Sequence, residues 1–215
     1  LPFLQAVDGG LSVGVPGVLR LLEQAHQAHG RLPWATLFAP AIALAEQGFA
    51  VSPRLSASIA GSAARMRAQG GAVAALFLNA DGSAKAAGTW LVQPALAATL
   101  RTVASGGADA FYTGDIAQAM VAAVAQHPTR PGRLALADLA GYQAKTRAPA
   151  CAIYRVSYTI CGMPPPSSGG VTLLQTLGLL QHFDVAALPP NGVDAVHLVS
   201  EAYRLAYADR AQFMA

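Results

Sequence analysis

The run PPPSSGG at residues 164–170 constrains the fold more than any other feature of this 215-residue chain. Proline fixes φ, lacks a backbone N–H and pushes the residue before it toward extended geometry. Three prolines in succession therefore predict a stiff, polyproline-II-like segment over residues 163–166. Serine is a favoured helix cap, so we predict that a helix begins near Ser168 and continues to about His182.

Proline and glycine also divide the rest of the chain into short helices. Ser52 followed by Pro53 is typical of a helix cap and first turn, and Gly70 and Gly71 are expected to end that helix. Asn79 begins a predicted turn. The predicted helices cover residues 16–29, 33–47, 53–69, 94–105, 115–126 and 193–213, with single helical turns near 109–112 and 138–140.

The pattern changes at residues 151–161, CAIYRVSYTIC, where β-branched and aromatic residues alternate with polar ones. This alternation predicts one or two short strands. Helices dominate elsewhere, without βαβ alternation and without an evident linker. We therefore predict a helix-rich α+β fold in a single domain over residues 1–215. Cys151 and Cys161 are interpreted as two buried free thiols, while a disulfide remains open for an exporting compartment.

Composition excludes some classes of function and points to a larger assembly. Only 12% of the residues are charged, against about 25% in typical soluble domains, so we expect part of the surface to be covered by something outside this chain. The net charge of +3 is scattered, which argues against a nucleic-acid surface. No apolar run reaches the roughly 18 residues of a membrane span. The opening Leu1-Pro2, without a leader, is expected of an internal segment.

The candidate site is formed by Ser167, Ser168, Gly169 and Gly170. In the structural interpretation, these residues cap a helix that follows a rigid proline segment. In the functional interpretation, they form a positioned turn whose free N–H groups face an anion or a developing oxyanion. The Gly-x-Ser-x-Gly pattern of a serine nucleophile elbow is absent.

Other polar groups favour structural roles. His26 and His29 have a spacing that can suit a metal, but no carboxylate completes a recognised motif, so we predict no metal site. Glycines near Pro16 lack the strand–loop–helix context of a nucleotide loop, and no cofactor is predicted. Glu201 and Arg204 are interpreted as an ordinary i,i+3 pair. The alternative is a buried polar network with the neighbouring residues Tyr203, Tyr207, Asp209 and Arg210.

A series of strings in fixed order resembles the γ-glutamyltranspeptidase family. The strings are VGVPG at 13–17, GRLPW at 30–34, PAIALAEQGF at 40–49, QPALAATL at 93–100, GADAFYTG at 107–114, DLAGY at 138–142, MPPPSSGG at 163–170 and, after Glu201, AYADR at 206–210. Each string alone is moderately specific, but their shared order covers essentially the whole chain.

This resemblance implies an N-terminal nucleophile hydrolase with an αββα sandwich, made as a precursor that cleaves itself into large and small subunits. A threonine at the new N-terminus would attack γ-glutamyl amides such as glutathione, with its own amine as base. The acyl group would pass to water or an amino acid. Periplasmic or secreted localisation follows by the same resemblance.

The resemblance also implies that this chain is an internal part of the large subunit, with the small subunit as its partner. The threonine, the substrate-gripping arginine and the oxyanion glycines of the family fall outside residues 1–215, so no catalytic residue is assigned here and the isolated segment is predicted to be inactive. The large-subunit serine pair of the family is matched here by the run Ser167, Ser168, Gly169 and Gly170. The resemblance therefore implies that these residues form scaffold or pocket wall and do not act in catalysis. The alternatives are a non-catalytic helical binding module and a cephalosporin-acylase-like relative.

Overall fold

A computed structural model of the chain describes residues 7–214. Its contacts separate two compact units, Leu1–Ala144 and Lys145–Ala215, each of which is described by itself. Compact units of this kind can lie within one domain, so the single domain predicted over residues 1–215 stays a prediction. Within the described residues, no helix is both long and apolar enough to cross a membrane.

The first unit is a set of short helices with two very short strands. The helices are α1 (Val18–His29), α2 (Ala39–Gln47), α3 (Pro53–Gln69), α4 (Gly71–Phe77), α5 (Pro94–Gly106), α6 (Asp109–Tyr112), α7 (Gly114–Ala125) and α8 (Leu136–Ala140). Short 3₁₀ helices lie at Gly10–Ser12 and Trp34–Phe38. Strands β1 (Phe49–Ala50) and β2 (Trp90–Leu91) pair antiparallel, with Phe49 opposite Leu91.

Most helix boundaries in this unit follow the sequence signals. The predicted cap at Ser52 is confirmed, because its hydroxyl accepts a hydrogen bond from the backbone N–H of Leu55 at 3.1 Å. Three details were wrong. Helix α1 begins two residues after Pro16. The helix predicted over residues 33–47 is divided into a 3₁₀ turn and helix α2, because Pro40 in the first turn of α2 lacks the N–H that one continuous helix would need. A further helix, α4, starts at Gly71.

Two apolar clusters form the core of the first unit. One contains Val51, Ile59, Ala63, Leu78 and Leu91, and it lies where helix α3 packs beside the short strands. The other contains Ala108, Tyr112, Ala117 and Leu139, with the ring of Tyr142 stacked on that of Tyr112 at a centroid distance of 5.9 Å. Small alanines at both centres let the helices approach closely, which explains how an alanine-rich chain builds a core.

Arg20 braces helix α1 against this second cluster. Its guanidinium donates to Glu23 at 2.9 Å and to Asp109 at 2.7 Å, and it lies 4.7 Å from the centroid of the Tyr112 ring. The Tyr112 hydroxyl donates to the carbonyl of Pro16 at 2.5 Å. Burial by itself lowers the pKa of Arg20, but the hydrogen bonds to the two carboxylates outweigh it and raise that pKa.

The second unit is a β-hairpin followed by two helices. Strands β3 (Ala150–Tyr154) and β4 (Tyr158–Gly162) pair antiparallel, so the strand prediction for residues 151–161 is confirmed as two strands. Helix α9 (Gly169–Leu180) packs on both strands and on helix α10 (Val193–Phe213), with a 3₁₀ turn at Val185–Ala187 between the helices.

The two cysteines correct the prediction of buried free thiols. Cys151 and Cys161 face each other across the hairpin with their Cα atoms 4.2 Å apart, and they form a disulfide. Both residues are exposed, on the hairpin face that carries Ile153 and Thr159. The spacing in sequence left both states open, because only the strand register decides whether two cysteines of a hairpin meet.

The contact between α9 and α10 has a small, partly polar core. Ala202 and Ala206 on α10 are buried, as are Thr172 and Thr176 on α9. The two threonine hydroxyls donate to the carbonyls of Ser168 and Thr172, each at 2.8 Å. Back-bonding of this kind satisfies a buried hydroxyl within its own helix, so the interface needs no polar partner from α10.

Candidate functional site

The PPPSSGG run forms a turn between strand β4 and helix α9. Pro165 and Pro166 are joined by a cis peptide bond, and the backbone N–H of Ser167 donates to the carbonyl of Pro164 at 3.2 Å. The predicted polyproline-II segment over residues 163–166 was therefore wrong at its second half. A straight segment would carry the chain away from β4, whereas α9 packs back against that strand.

Gly162 and Gly170 bring the two elements into direct backbone contact. A Cβ atom on Gly170 would lie 2.3 Å from the carbonyl oxygen of Met163, and one on Gly162 would lie 2.6 Å from the Cα atom of Gly170. Gly169 differs, because its nearest neighbour would be the Ser167 hydroxyl at 3.8 Å. Only the second glycine of the pair is therefore required by packing at the start of α9.

Ser168 is not the side-chain cap that the sequence predicted. Its backbone is helical, with φ −81° and ψ −16°, and its hydroxyl makes no capping bond to the first turn. A capping serine is extended instead, which lets its oxygen reach back to the free N–H groups. The Ser168 hydroxyl accepts a hydrogen bond from Nε of Arg210 at 2.8 Å.

A second polar contact joins the same two helices further along. The side-chain amide of Gln175 donates to the carboxylate of Asp209, the residue before Arg210. The Arg210 guanidinium lies 5.7 Å from the centroid of the Tyr207 ring. These contacts match part of the polar network considered as the alternative from the sequence, but the network is not buried, because Asp209 and Tyr207 are exposed and Arg210 is half-buried.

Glu201 and Arg204 form the predicted i,i+3 pair, with Arg204 Nε 3.0 Å from Glu201 Oε2. The hydrogen bond from Arg204 lowers the pKa of Glu201, and the charges of Arg204 and His197 act in the same direction. The pair makes no hydrogen bond to α9 or to the turn among the described residues, and Arg204 is exposed while Glu201 is half-buried. It is therefore a surface ion pair of the helix.

The turn keeps several polar groups free. Among the described residues, the hydroxyl of Ser167 has no hydrogen-bond partner, and neither do the backbone N–H groups of Gly169, Gly170 and Val171. Ser167 and Gly169 are exposed. N–H groups at a helix start attract negatively polarised oxygens. The arrangement can therefore present hydrogen-bond donors, but nothing here activates a serine oxygen as a nucleophile.

The histidine pair has a structural environment. Nε2 of His26 lies 2.7 Å from the carbonyl oxygen of Leu32, and its ring meets Trp34 edge-on at a centroid distance of 5.3 Å. Residues 7–214 contain no group of three His, Cys, Asp or Glu side chains that could hold a metal ion. His26 thus helps to fix the loop after α1.

The partner of Ser168 that sequence reasoning missed is Arg210. It lies 42 positions from Ser168 in the chain, and no local pattern links the two. The available signal was the AYADR string at 206–210, whose Asp209 and Arg210 were considered for a polar network but not as partners of the turn.

Comparison with known proteins agrees with this architecture. The γ-glutamyltranspeptidase family model matches residues 4–215. The acylase ACY 1 proenzyme of Pseudomonas sp. (strain SE83) is 40% identical over 207 residues, which are 96% of this chain and 36% of that protein. The glutathione hydrolase proenzyme of Bacillus subtilis (strain 168) is 34% identical over 213 residues, which are 99% of this chain and 35% of that protein.

The γ-glutamyltranspeptidase of Helicobacter pylori superposes with a TM-score of 0.90 at 34% identity, over all of this chain and 60% of that one. The fold is thus a helix-rich α+β segment of the N-terminal nucleophile hydrolase class, as predicted. Within that class, the chain belongs to the γ-glutamyltranspeptidase family. It spans about a third of the length of the curated relatives that it matches.

Proposed function

We propose that this chain is a large-subunit segment of an enzyme that cleaves γ-glutamyl amides such as glutathione and transfers the acyl group to water or an amino acid. The observation that carries the proposal is the family match over residues 4–215, supported by a glutathione hydrolase relative aligned over 99% of the chain. A threonine outside this segment would form the γ-glutamyl-enzyme, with its free amine as base.

In this proposal the segment supplies scaffold and pocket wall. Ser167 and Gly169 would present donors at the wall, and Gly170 would hold the turn against β4. The remaining precursor would cover apolar side chains that are now exposed, a pattern typical of interaction surfaces. Examples on the helices are Val18 at 65%, Leu21 at 56%, Val193 at 85% and Phe213 at 72% exposure.

The full-length parent protein provides the test. We expect it to cleave itself into two subunits and to release p-nitroaniline from γ-glutamyl-p-nitroanilide, faster when a dipeptide acceptor is added. Replacement of the new N-terminal threonine of the small subunit by alanine is the matched control, because it removes the nucleophile and leaves this segment unchanged. Normal turnover by that variant would contradict the proposed chemistry.

A cephalosporin-acylase-like activity is the second candidate, because a relative named as an acylase is 40% identical to this chain. Both candidates share the acyl-enzyme route and differ in the acyl group. The same purified protein should be assayed with a γ-glutamyl anilide and with a cephalosporin that carries a dicarboxylic side chain. A larger kcat/KM for the cephalosporin would replace the first proposal with the second.

We also place the mature protein in the periplasm or outside the cell. The disulfide between Cys151 and Cys161 supports this location, because disulfides persist in oxidising compartments and are rare in the cytosol. Fractionation of the native host, with thiol labelling of each fraction, tests the proposal. Recovery of the protein in the cytosol with both thiols free would contradict it.

A further inference from the structure

We propose that Arg210 is a positioning residue that sets the Ser168 side chain and the first turn of α9 for substrate binding. This inference rests on the proposed function, in which the turn forms part of the γ-glutamyl pocket wall. It assigns a role to a residue of α10 that lies outside the turn itself. Two hydrogen bonds between α9 and α10 support it, together with the hydrogen-bond donors of the turn that those two bonds leave unpaired.

The first contact fixes the hydroxyl of Ser168. Arg210 Nε donates to this oxygen at 2.8 Å, and the guanidinium lies over the Tyr207 ring of its own helix. A guanidinium is planar and permanently charged, so a bond from Nε also sets the plane of the rest of the group. The hydroxyl of Ser168 is thereby occupied as an acceptor and held toward α10.

The second contact joins α9 and α10 further along the two helices. Asp209 binds Gln175, which follows Ser168 by seven residues. Seven residues are about two helical turns, or roughly 10 Å along the axis, so both positions lie on the same side of α9. Helix α9 is already packed on β3, β4 and α10, and the two polar contacts from adjacent residues of α10 add to that packing on one side of the helix start.

The two contacts also affect the hydrogen-bond donors of the turn that they do not bind. With Ser168 held toward α10, the Ser167 hydroxyl and the N–H group of Gly169, both on exposed residues, stay unpaired among the described residues, whereas Gly170 is buried against β4. Loss of the Arg210 contact would free the Ser168 side chain and loosen the exposed side of the turn, although Gly170 still packs against β4. The donors on Ser167 and Gly169 would then spread over several directions. Substrate binding would weaken, while the chemistry at a distant threonine would proceed at its normal rate once the substrate is bound.

The test is a double-mutant cycle in the full-length parent protein, with steady-state hydrolysis of γ-glutamyl-p-nitroanilide as the readout. Ser168→Ala and Arg210→Leu should each raise KM about tenfold, which corresponds to about 1.4 kcal/mol at 25 °C, with kcat nearly unchanged. The double variant should show the KM of the single variants, because both remove one contact. Arg210→Lys keeps the charge but lacks Nε, and it should also raise KM.

Arg204→Leu is the matched control. It removes another arginine of α10, which pairs with Glu201 of its own helix and makes no hydrogen bond to α9 among the described residues, so its KM should equal that of the unmodified protein. Melting midpoints and the extent of self-cleavage are recorded for every variant, and Arg210→Lys keeps the cycle informative if Arg210→Leu does not fold.

The outcomes separate the two proposals. Absence of γ-glutamyl turnover by the unmodified protein rejects the proposed function. Turnover with additive effects on KM, with a normal KM for Arg210→Lys, or with the same KM rise for Arg204→Leu rejects the positioning role alone. A raised and non-additive KM with normal kcat supports it.

Discussion

The unit through Ala144 and the unit from Lys145 each contain an arginine with several partners, and the two arrangements differ in the kind of partner. Arg20 binds two carboxylates around the ring of Tyr112, which is only 1% exposed. In the second unit, Arg210 binds a hydroxyl and Asp209 binds an amide. Arg20 is thus paired with opposite charges beside a buried aromatic core. Arg210 instead binds a neutral group at the start of α9, and Asp209 binds one further along that helix.

This difference suggests different roles for the two arrangements. Contacts that enclose a buried ring contribute mainly to stability, since their loss opens the core. Contacts of half-exposed side chains contribute little to stability but restrict geometry. We therefore expect substitutions in the Tyr112 cluster to unfold the protein and substitutions around Ser168 to change function. The following predictions test this contrast, beginning with the largest effect.

Tyr112→Ala should give the largest loss. Tyr112 packs in the second apolar cluster, and its hydroxyl binds the carbonyl of Pro16, so truncation leaves a cavity and an unpaired carbonyl. The expected loss is about 3–5 kcal/mol of unfolding free energy, measured by urea denaturation. Tyr112→Phe is the matched control, which removes only the hydroxyl and should cost about 1–3 kcal/mol. Equal stability of the alanine variant and the unmodified protein would contradict this account of the cluster.

Removal of the disulfide should have the next largest effect. The double variant Cys151→Ser/Cys161→Ser opens a short covalent loop with a sequence separation of 10 residues, and the expected loss is about 2–4 kcal/mol. Reduction of the unmodified protein should shift the urea midpoint equally, and the double variant should not respond to reductant. An unmodified protein that is indifferent to reductant would support the free thiols first predicted from the sequence.

The paired glycines allow a sharper test within the turn. Gly170→Ala places a Cβ atom 2.3 Å from the carbonyl oxygen of Met163, and overpacking of this kind costs about 1–3 kcal/mol. Gly169→Ala meets nothing closer than 3.8 Å and should be neutral or stabilise by up to about 1 kcal/mol. Thermal melting of both variants provides the comparison. Similar losses at the two positions would show that the contact between β4 and α9 is wrong.

The smallest expected effect is the pH dependence of the Glu201–Arg204 pair. The pKa of Glu201 is lowered by the hydrogen bond from Arg204, so the pair contributes above the unfolded-state pKa of Glu201 and is lost as pH falls through the lowered value. The side chains of Arg204 and Glu201 are 68% and 43% exposed, so water screens the pair and the change should be slight. The melting midpoint of Arg204→Leu, compared with the unmodified protein from neutral to acidic pH, measures it. A large shift would contradict a surface role.

The sequence predicted those parts of the fold that depend on local signals. Ser52 with Pro53 marked a helix start, and residues 193–213 were predicted as the helix that the structure contains. Each of these follows from capping chemistry or periodicity within a few residues. Helix α4 was missed because Gly71, which usually ends a helix, here begins one with a positive φ of 66°.

The errors concern contacts between distant residues. The states of Cys151 and Cys161 depend on the register of a hairpin, which the sequence does not specify. The hydrogen bonding of Ser168 depends on Arg210, which lies on another helix. The backbone of Ser168 is helical and not extended, so its hydroxyl does not cap α9. The sequence thus predicted a turn at residues 164–170, which the structure contains, but it did not predict the hydrogen bonds that hold this turn.

The central claim is that this chain provides scaffold and pocket wall for a γ-glutamyl-transferring enzyme and contains no catalytic nucleophile. The most direct measurement compares γ-glutamyl-p-nitroanilide turnover by the full-length parent protein and by the isolated 215-residue chain at equal molar concentration. The account predicts turnover and a trappable γ-glutamyl-enzyme for the full-length protein and no turnover for the isolated chain. Turnover by the isolated chain, or none by the full-length protein, would contradict it.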